Sequence, residues 1–175
     1  RQRQHAGGLI AYPTEGVYGL GCLPDDGRAV QRLLALKQRP VSAGLILIAA
    51  SLGQLTDWIE PTAREIRQLT ATPAGPVTWL VTAGPLTPEW ITGGRPKVAV
   101  RITRHPVAAE LCRAAGLPLV STSANRRGKP PARSALGARL RFGMQLDLVV
   151  GGATGGAAGP TEIRDAASGR VLRAG

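Results

Sequence analysis

Three short stretches of this 175-residue chain gather residue types that can bind and orient charged substrates. The first is YPTEGVYGLG, from Tyr12 to Gly21. Pro13 and Gly16 set a turn there, the Thr14 hydroxyl sits inside it, and Gly19 and Gly21 let backbone come close to something. The stretch reads either as a ligand-holding turn or as a tight strand–turn–strand corner whose Thr and Glu satisfy only local backbone. The second is LKQRP, Leu36 to Pro40. It puts Lys37 and Arg39 at the end of a helical pattern, where the helix dipole favours cations in any case. The other reading is an anion clamp made of a point-charge ammonium beside a forked guanidinium. The third is LVSTSAN, Leu119 to Asn125. Ser121, Thr122, Ser123 and Asn125 follow an apolar strand, and ligands of α/β folds gather at the carboxyl ends of strands. An ST-turn closed by an Asn cap uses the same residues without any ligand.

Two single residues add to these. Arg101 interrupts the apolar run VAVRIT, and a charge in such a strand must be paired or face a ligand. Thr78 stands in the apolar run that follows GP at 75–76. Other chemistries lack their residues. Gly128-Lys129 is followed by Pro130, so there is no phosphate-binding P-loop, and the dinucleotide-binding glycine fingerprint is missing as well. Cys22 and Cys112 form no C-x-x-C pair, and His5 and His105 are the only histidines, so no zinc ligand set can be assembled. Two free thiols fit a reducing compartment, which makes the cytoplasm the expected location. Glu15 is the only acid inside the three stretches, which argues against a two-carboxylate hydrolase.

The elements that must position these residues follow from periodicity. Strands are expected at Leu9–Tyr12, Leu45–Ala49, Val77–Thr82, Val98–Ile102, Leu117–Thr122, Leu146–Val150, Thr161–Arg164 and Arg170–Arg173. Asp25 or Asp26 caps a helix that ends by Gln38 or Arg39, because Pro40 disfavours helical geometry before it. Short helices are expected at Ser51–Ile59 and Pro61–Leu69, and others at Pro106–Ala115 and Ser134–Phe142. Interleaved strands and helices without a linker or repeat predict one α/β domain spanning residues 1–175. The chain starts almost on a strand, so a short helix is expected ahead of it. With 43% hydrophobic and 19% charged residues the composition excludes a coiled coil, a disordered chain and a disulfide scaffold. No apolar run reaches the roughly 18 residues of a spanning helix, so no membrane partner is expected.

Lys+Arg number 22 against 11 Asp+Glu, a net charge of +11. Between Glu110 and Asp147 there is no acid, but there are Arg113, Arg126, Arg127, Lys129, Arg133, Arg139 and Arg141. A solvated Arg-rich face and an RNA- or phosphate-attracting surface both fit this run.

Together the stretches resemble the YrdC-like family of threonylcarbamoyl-AMP synthases (TsaC type). YPTEGVYGLGC, LKQRPVSAGLILIAA, GPVT, VAVRIT, PLVSTSAN and EIRDAASGRVLRAG stand in that family's order and spacing from Leu9 to Gly175. The resemblance implies a twisted mixed α/β sheet flanked by helices, with a large positively charged cavity. It implies a nucleotidyltransferase that makes L-threonylcarbamoyladenylate from L-threonine, bicarbonate or CO2, and ATP, releasing pyrophosphate. The product would feed a transfer complex that modifies tRNA to threonylcarbamoyladenosine. By the same resemblance Thr14, Arg101 and Thr161 hold threonine, and Thr122 touches either substrate. Lys37, Arg39, Ser123 and Asn125 match the family's K-x-R and S-x-N elements, meet the ATP phosphates and carry the chemistry. Thr78 and Arg173 serve the nucleotide side. Magnesium would arrive with ATP, held by the triphosphate rather than by protein ligands. Two positions depart from the pattern: relatives carry another Lys where Ala43 stands, and a small Ser where Arg127 stands. Arg127 is expected to restore the missing charge. The rival reading is a non-catalytic RNA-binding or ribosome-associated module, with the basic run contacting tRNA or other RNA directly.

Overall fold

The computed structural model describes residues 8–71 and 75–174; His5, the basic start and Gly175 lie outside them. The chain enters at β1 (Ile10–Pro13) and turns back along β2 (Tyr18–Gly21). Helix α1 (Gly27–Lys37) follows, capped by Asp26, whose carboxylate accepts from the backbone N–H of Arg28 and Ala29. Ala29, Val30, Leu33, Leu34 and Leu36 are buried from one face of this helix, at the spacing the periodicity required. It ends at Gln38 in the left-handed region, φ 51 and ψ 43, a conformation that costs a non-glycine residue roughly 1–2 kcal/mol. That single residue reverses the chain between Lys37 and Arg39.

The remaining elements are β3 (Ile46–Ala49), α2 (Ala63–Thr70), β4 (Val77–Thr82), α3 (Glu89–Thr92), β5 (Lys97–Ile102), α4 (Pro106–Ala115), β6 (Leu119–Ser123), α5 (Ala135–Phe142), β7 (Leu148–Val149), β8 (Glu162–Asp165) and β9 (Val171–Arg173). The nine strands among the described residues form one mixed sheet in the order β7-β1-β2-β6-β3-β5-β4-β8-β9. The pairs β3–β5, β4–β8 and β1–β7 are parallel, and the others are antiparallel. One large core contains Leu33, Leu47, Val81, Val100 and Val120, and a smaller one joins Tyr12, Ile48 and Cys112. Both cysteines are free and buried.

One expectation changes, and the open reading of Tyr12–Gly21 resolves to strand–turn–strand. The helix expected over Ser51–Ile59 is only a 3-10 turn at Leu52–Leu55. Gly53 lowers helix stability there, and Gln54 ties the segment elsewhere: its Oε1 accepts from Ala50 N at 2.8 Å and its Nε2 donates to Cys112 O at 2.8 Å. Conversely, β2 is a strand although two of its four residues are Gly. It lies between β1 and β6, and a Cβ at Gly21 would come within 2.2 Å of Val120 O, so only glycine allows the approach. No helix among the described residues is long and apolar enough to cross a membrane.

Candidate active site

A trough of about 740 Å³, counted with its mouth, lies between the β1–β2 turn, the ends of β3, β5 and β6, and the C-terminal segment. Thr14, Arg39, Arg101, Thr122, Ser123, Thr161 and Arg173 line it, together with Ser121, Ile46 and Gly159. A neighbouring hollow shares Arg39, Thr122 and Ser123 and adds Lys37, Ala43, Asn125 and Arg127. A third shares Arg39 and Arg173 and runs over Ala99, Leu80 and Ile163 to Arg95 and Lys97. None of the residues lining these three spaces carries a carboxylate.

At the deep end, Arg101 projects from β5 with 5% of its surface exposed. Its Nη1 donates to Thr161 Oγ1 at 2.9 Å and to Thr78 Oγ1 at 3.2 Å, and those two hydroxyls are 2.9 Å apart. Its Nη2 lies 3.5 Å from Glu15 Oε2, an ion pair too long for a good hydrogen bond. Arg101 Nε and Glu15 Oε2 are both buried without a hydrogen-bond partner. Glu15 Oε1 accepts from Thr103 Oγ1 at 2.6 Å. Burial pushes the Glu15 carboxyl up, but the Arg101 charge and the Thr103 hydroxyl outweigh it and hold the group below its ordinary value. Thr14 donates its hydroxyl proton to Val17 O at 2.6 Å, which leaves the oxygen's lone pairs on the trough.

A glycine-rich strap closes this end. Gly155 N donates to Thr14 O and Ala157 N to Glu15 O, each at 2.9 Å. A Cβ at Gly16 would come within 2.2 Å of Gly159 O, so strap and turn meet backbone to backbone. Tyr18 and His105 hold the same strap, through Tyr18 Oη to Gly152 O at 2.7 Å and His105 Nε2 to Ala153 O at 2.8 Å.

The other end is built differently. Lys37 is 8% exposed, and its ammonium donates to Ser123 O at 2.6 Å, Asn125 O at 3.0 Å and Asn125 Oδ1 at 2.9 Å. Those are all the protons it has. Ser123 Oγ also donates to Asn125 Oδ1, at 2.7 Å, and Asn125 Nδ2 donates to Lys129 O at 2.8 Å. Burial, and then the Arg39 charge, pushes the Lys37 ammonium down to about 8. Arg39 turns Nε and Nη2 to Gly44 O, at 3.2 and 2.9 Å. Burial followed by the charges of Arg173 and Arg95 lowers its pKa; burial followed by Arg101 lowers that of Arg173. Arg173 Nη2 donates to Thr161 O at 2.9 Å.

The ten residues picked from sequence therefore fall into one neighbourhood. Seven line the trough, Lys37 and Asn125 line the adjoining hollow, and Thr78 stands behind Arg101, fully buried. Ser121, noted in the sequence as part of the LVSTSAN cluster but given no role, lines the trough as well, and alternation along β6 sets it on the same face as Ser123. Sequence reasoning also left Glu15 and Thr103 without a role.

The family model Sua5_yciO_yrdC, described as "Telomere recombination", matches residues 2–175. The threonylcarbamoyl-AMP synthase of Alkalilimnicola ehrlichii is 55% identical over 175 residues, covering 98% of this chain and 92% of that protein. That of Cellvibrio japonicus is 57% identical over 168 residues, 95% of this chain and 89% of that protein. Among solved structures, P. abyssi Sua5 complexed with L-threonine is 32% identical with a TM-score of 0.87, covering 95% of this chain. The chain spans 50% of that protein's length. E. coli YciO is 28% identical with a TM-score of 0.76, over 91% of this chain and 78% of its own.

Proposed function

The chain belongs to the Sua5/YciO/YrdC family, and on that premise we propose that it is a threonylcarbamoyl-AMP synthase, a nucleotidyltransferase of the cytoplasm, rather than a non-catalytic RNA-binding module. The observation that carries this reading is Arg101: a buried guanidinium on the floor of the trough, held by two threonine hydroxyls and with donors to spare. Its substrates are L-threonine, bicarbonate or CO2, and ATP. The threonine carboxylate meets Arg101, and the hydroxyl oxygens of Thr14 and Thr161 orient the rest of the amino acid. Thr122, Ser121 and Ser123 line the same trough as the cation Arg39, which receives the triphosphate. Thr78 bonds Arg101 and Thr161 from behind, so it supports the amino-acid end rather than meeting the nucleotide.

The neutral amine of threonine adds to the carbon of CO2, forming a C–N bond and releasing a proton to solvent. A carbamate oxygen then attacks the α-phosphorus as the bond to the bridging oxygen breaks, and pyrophosphate leaves. No protein nucleophile is needed; the protein supplies alignment and fixed positive charge against the growing charge of the leaving group. Lys37 contributes to the phosphate end by fixing the turn that carries Ser123 and Asn125. Magnesium enters as part of the ATP substrate. The trough offers it hydroxyls but no carboxylate, which fits an ion held by the triphosphate. The adenylate is consumed by an enzyme complex that transfers the threonylcarbamoyl group to tRNA.

Purified protein with ATP, magnesium and bicarbonate releases pyrophosphate only when threonine is added, and Arg101→Ala abolishes the release. Threonine-independent ATP breakdown, or none, together with tight salt-sensitive RNA binding, would move the chain to the RNA-binding reading.

A further inference from the structure

Cations stand along the whole trough, but a carboxylate stands at only one end. We infer that Glu15 tells the two ends apart: by countering Arg101 it keeps phosphate-type anions out of the amino-acid subsite, so a zwitterion settles there and the triphosphate goes to the Arg39 end. The inference rests on the reading above, in which the Arg101 end receives the amino acid.

The charge pattern supports it. Glu15 Oε2 is 3.5 Å from Arg101 Nη2, and the two side chains are 12% and 6% exposed, so water screens the pair little. Among the described residues Arg39 has no such partner; its hydrogen bonds go to the carbonyls of Gly44 and Ala43, while Arg173 reaches toward the Arg101 end through Thr161 O. Lys97, one of the cations in the adjoining hollow, is neutralised by Asp165 at 2.7 Å. The trough thus has one end close to neutral and one end with uncompensated positive charge.

Glu15 is also fixed in place. Its carbonyl accepts from Ala157 N, its Oε1 accepts from Thr103 Oγ1, and the strap backbone packs against its Cα. It does not line the trough; it lines a separate hollow with Arg104 and Trp79, which Arg101 does not line. It therefore acts through Arg101 and is a positioning residue. A threonine zwitterion brings one negative group for the guanidinium and one positive group that the carboxylate favours. A phosphate dianion brings only negative charge and is repelled by Glu15, a rejection built from like charge rather than from shape.

The test is the inhibition pattern of inorganic phosphate in the full chain. In the wild type, phosphate competes with ATP and not with threonine. Glu15→Gln keeps an oxygen acceptor for Thr103 and removes the charge. Phosphate then becomes competitive with threonine, its inhibition constant against threonine falling about tenfold, on the scale of one charge interaction, while the KM for ATP stays within about twofold. Glu15→Asp, which draws the charge back by one methylene, gives an intermediate constant and serves if the Gln variant does not fold. A phosphate pattern unchanged in both variants overturns the role of Glu15. Arg101→Gln separates the two levels. Read by calorimetry of threonine binding, which needs no turnover, unchanged affinity puts the amino-acid subsite elsewhere and the functional reading fails; weakened affinity while Glu15 variants keep the wild-type phosphate pattern means only the present inference fails.

Discussion

Arg101 and Lys37 are both buried cations inside sequence motifs, 5% and 8% exposed, yet the protein holds them in opposite ways. Arg101 leans on hydroxyls that can rotate and on a carboxylate just out of hydrogen-bond range, and its Nε–H has no acceptor. Lys37 has every proton on an oxygen of one turn, two of them carbonyls that cannot rotate away. The first arrangement leaves capacity for a ligand; the second fastens a loop. Proximity of a cation to a substrate-binding motif therefore does not say whether it touches substrate. That depends on where its protons already go.

Replacing Lys37 by Met is the strongest way to test this contrast. The turn at 123–125 loses its fastener, three acceptors lose a charged donor, and the variant melts at a lower temperature. The displaced Ser123 and Asn125 lower kcat about a hundredfold, the usual cost of a small misplacement, with little change in the threonine KM. Lys37→Arg does not rescue, because a planar fork cannot place three donors around one point. Steady-state pyrophosphate release and thermal melting read both effects. Wild-type melting with lost ATP binding would make Lys37 a direct phosphate ligand and erase the contrast with Arg101.

Arg127 offers a smaller and cleaner comparison. It lines the hollow with Lys37, Arg39 and Ala43, and has no hydrogen bond or ion pair among the described residues. Where Lys37 is saturated, Arg127 is free to meet the outer phosphates. Arg127→Ser is expected to raise the KM for ATP by about three- to fivefold, as exposed charge contacts do, and to leave the threonine KM alone. The difference should shrink in high salt. An unchanged KM for ATP would show that the expected compensation for Ala43 does not occur.

Much of this arrangement was legible in the chain. Apolar spacing located α1, and α4 begins at Pro106 as expected. The motif residues converge because β1, β5 and β6 deliver them to one face. Three things were hidden for physical reasons. Whether Tyr18–Gly21 pairs as a strand was left open, because its glycines also suit a ligand-holding turn, and close backbone packing decides it. The partners of Lys37 include carbonyl oxygens, which every residue possesses and no motif marks. The basic run from Arg113 to Arg141 looks continuous in sequence, yet Arg113 pairs with Glu110 at 3.1 Å on α4, while Arg126 lies 5.5 Å over the Phe142 ring. Part of that linear charge density is thus engaged locally, which the sequence does not mark.

The subtlest expected difference between the two cations lies in pH. Lys37 is pushed from 10.5 to about 8 by burial and then by the Arg39 charge. Below pH 8 both folded and unfolded chains hold the proton, and the cost of burying it is constant. Between about 8 and 10.5 the unfolded chain binds a proton that the folded one has lost, so stability from this group rises with pH across that window and then levels. Glu15 runs the other way: its value is lowered, so its contribution is present above the unfolded carboxyl's pKa and fades as acid titrates the folded form. Urea unfolding of wild type and Lys37→Met at pH 7.5 and about pH 10 reads the first effect, with the gap moving in favour of wild type at the higher pH. A gap that does not move would mean that the three oxygen acceptors hold the proton more firmly than burial expels it. Lys37 would then be a permanent charge behind the phosphate end rather than one that titrates.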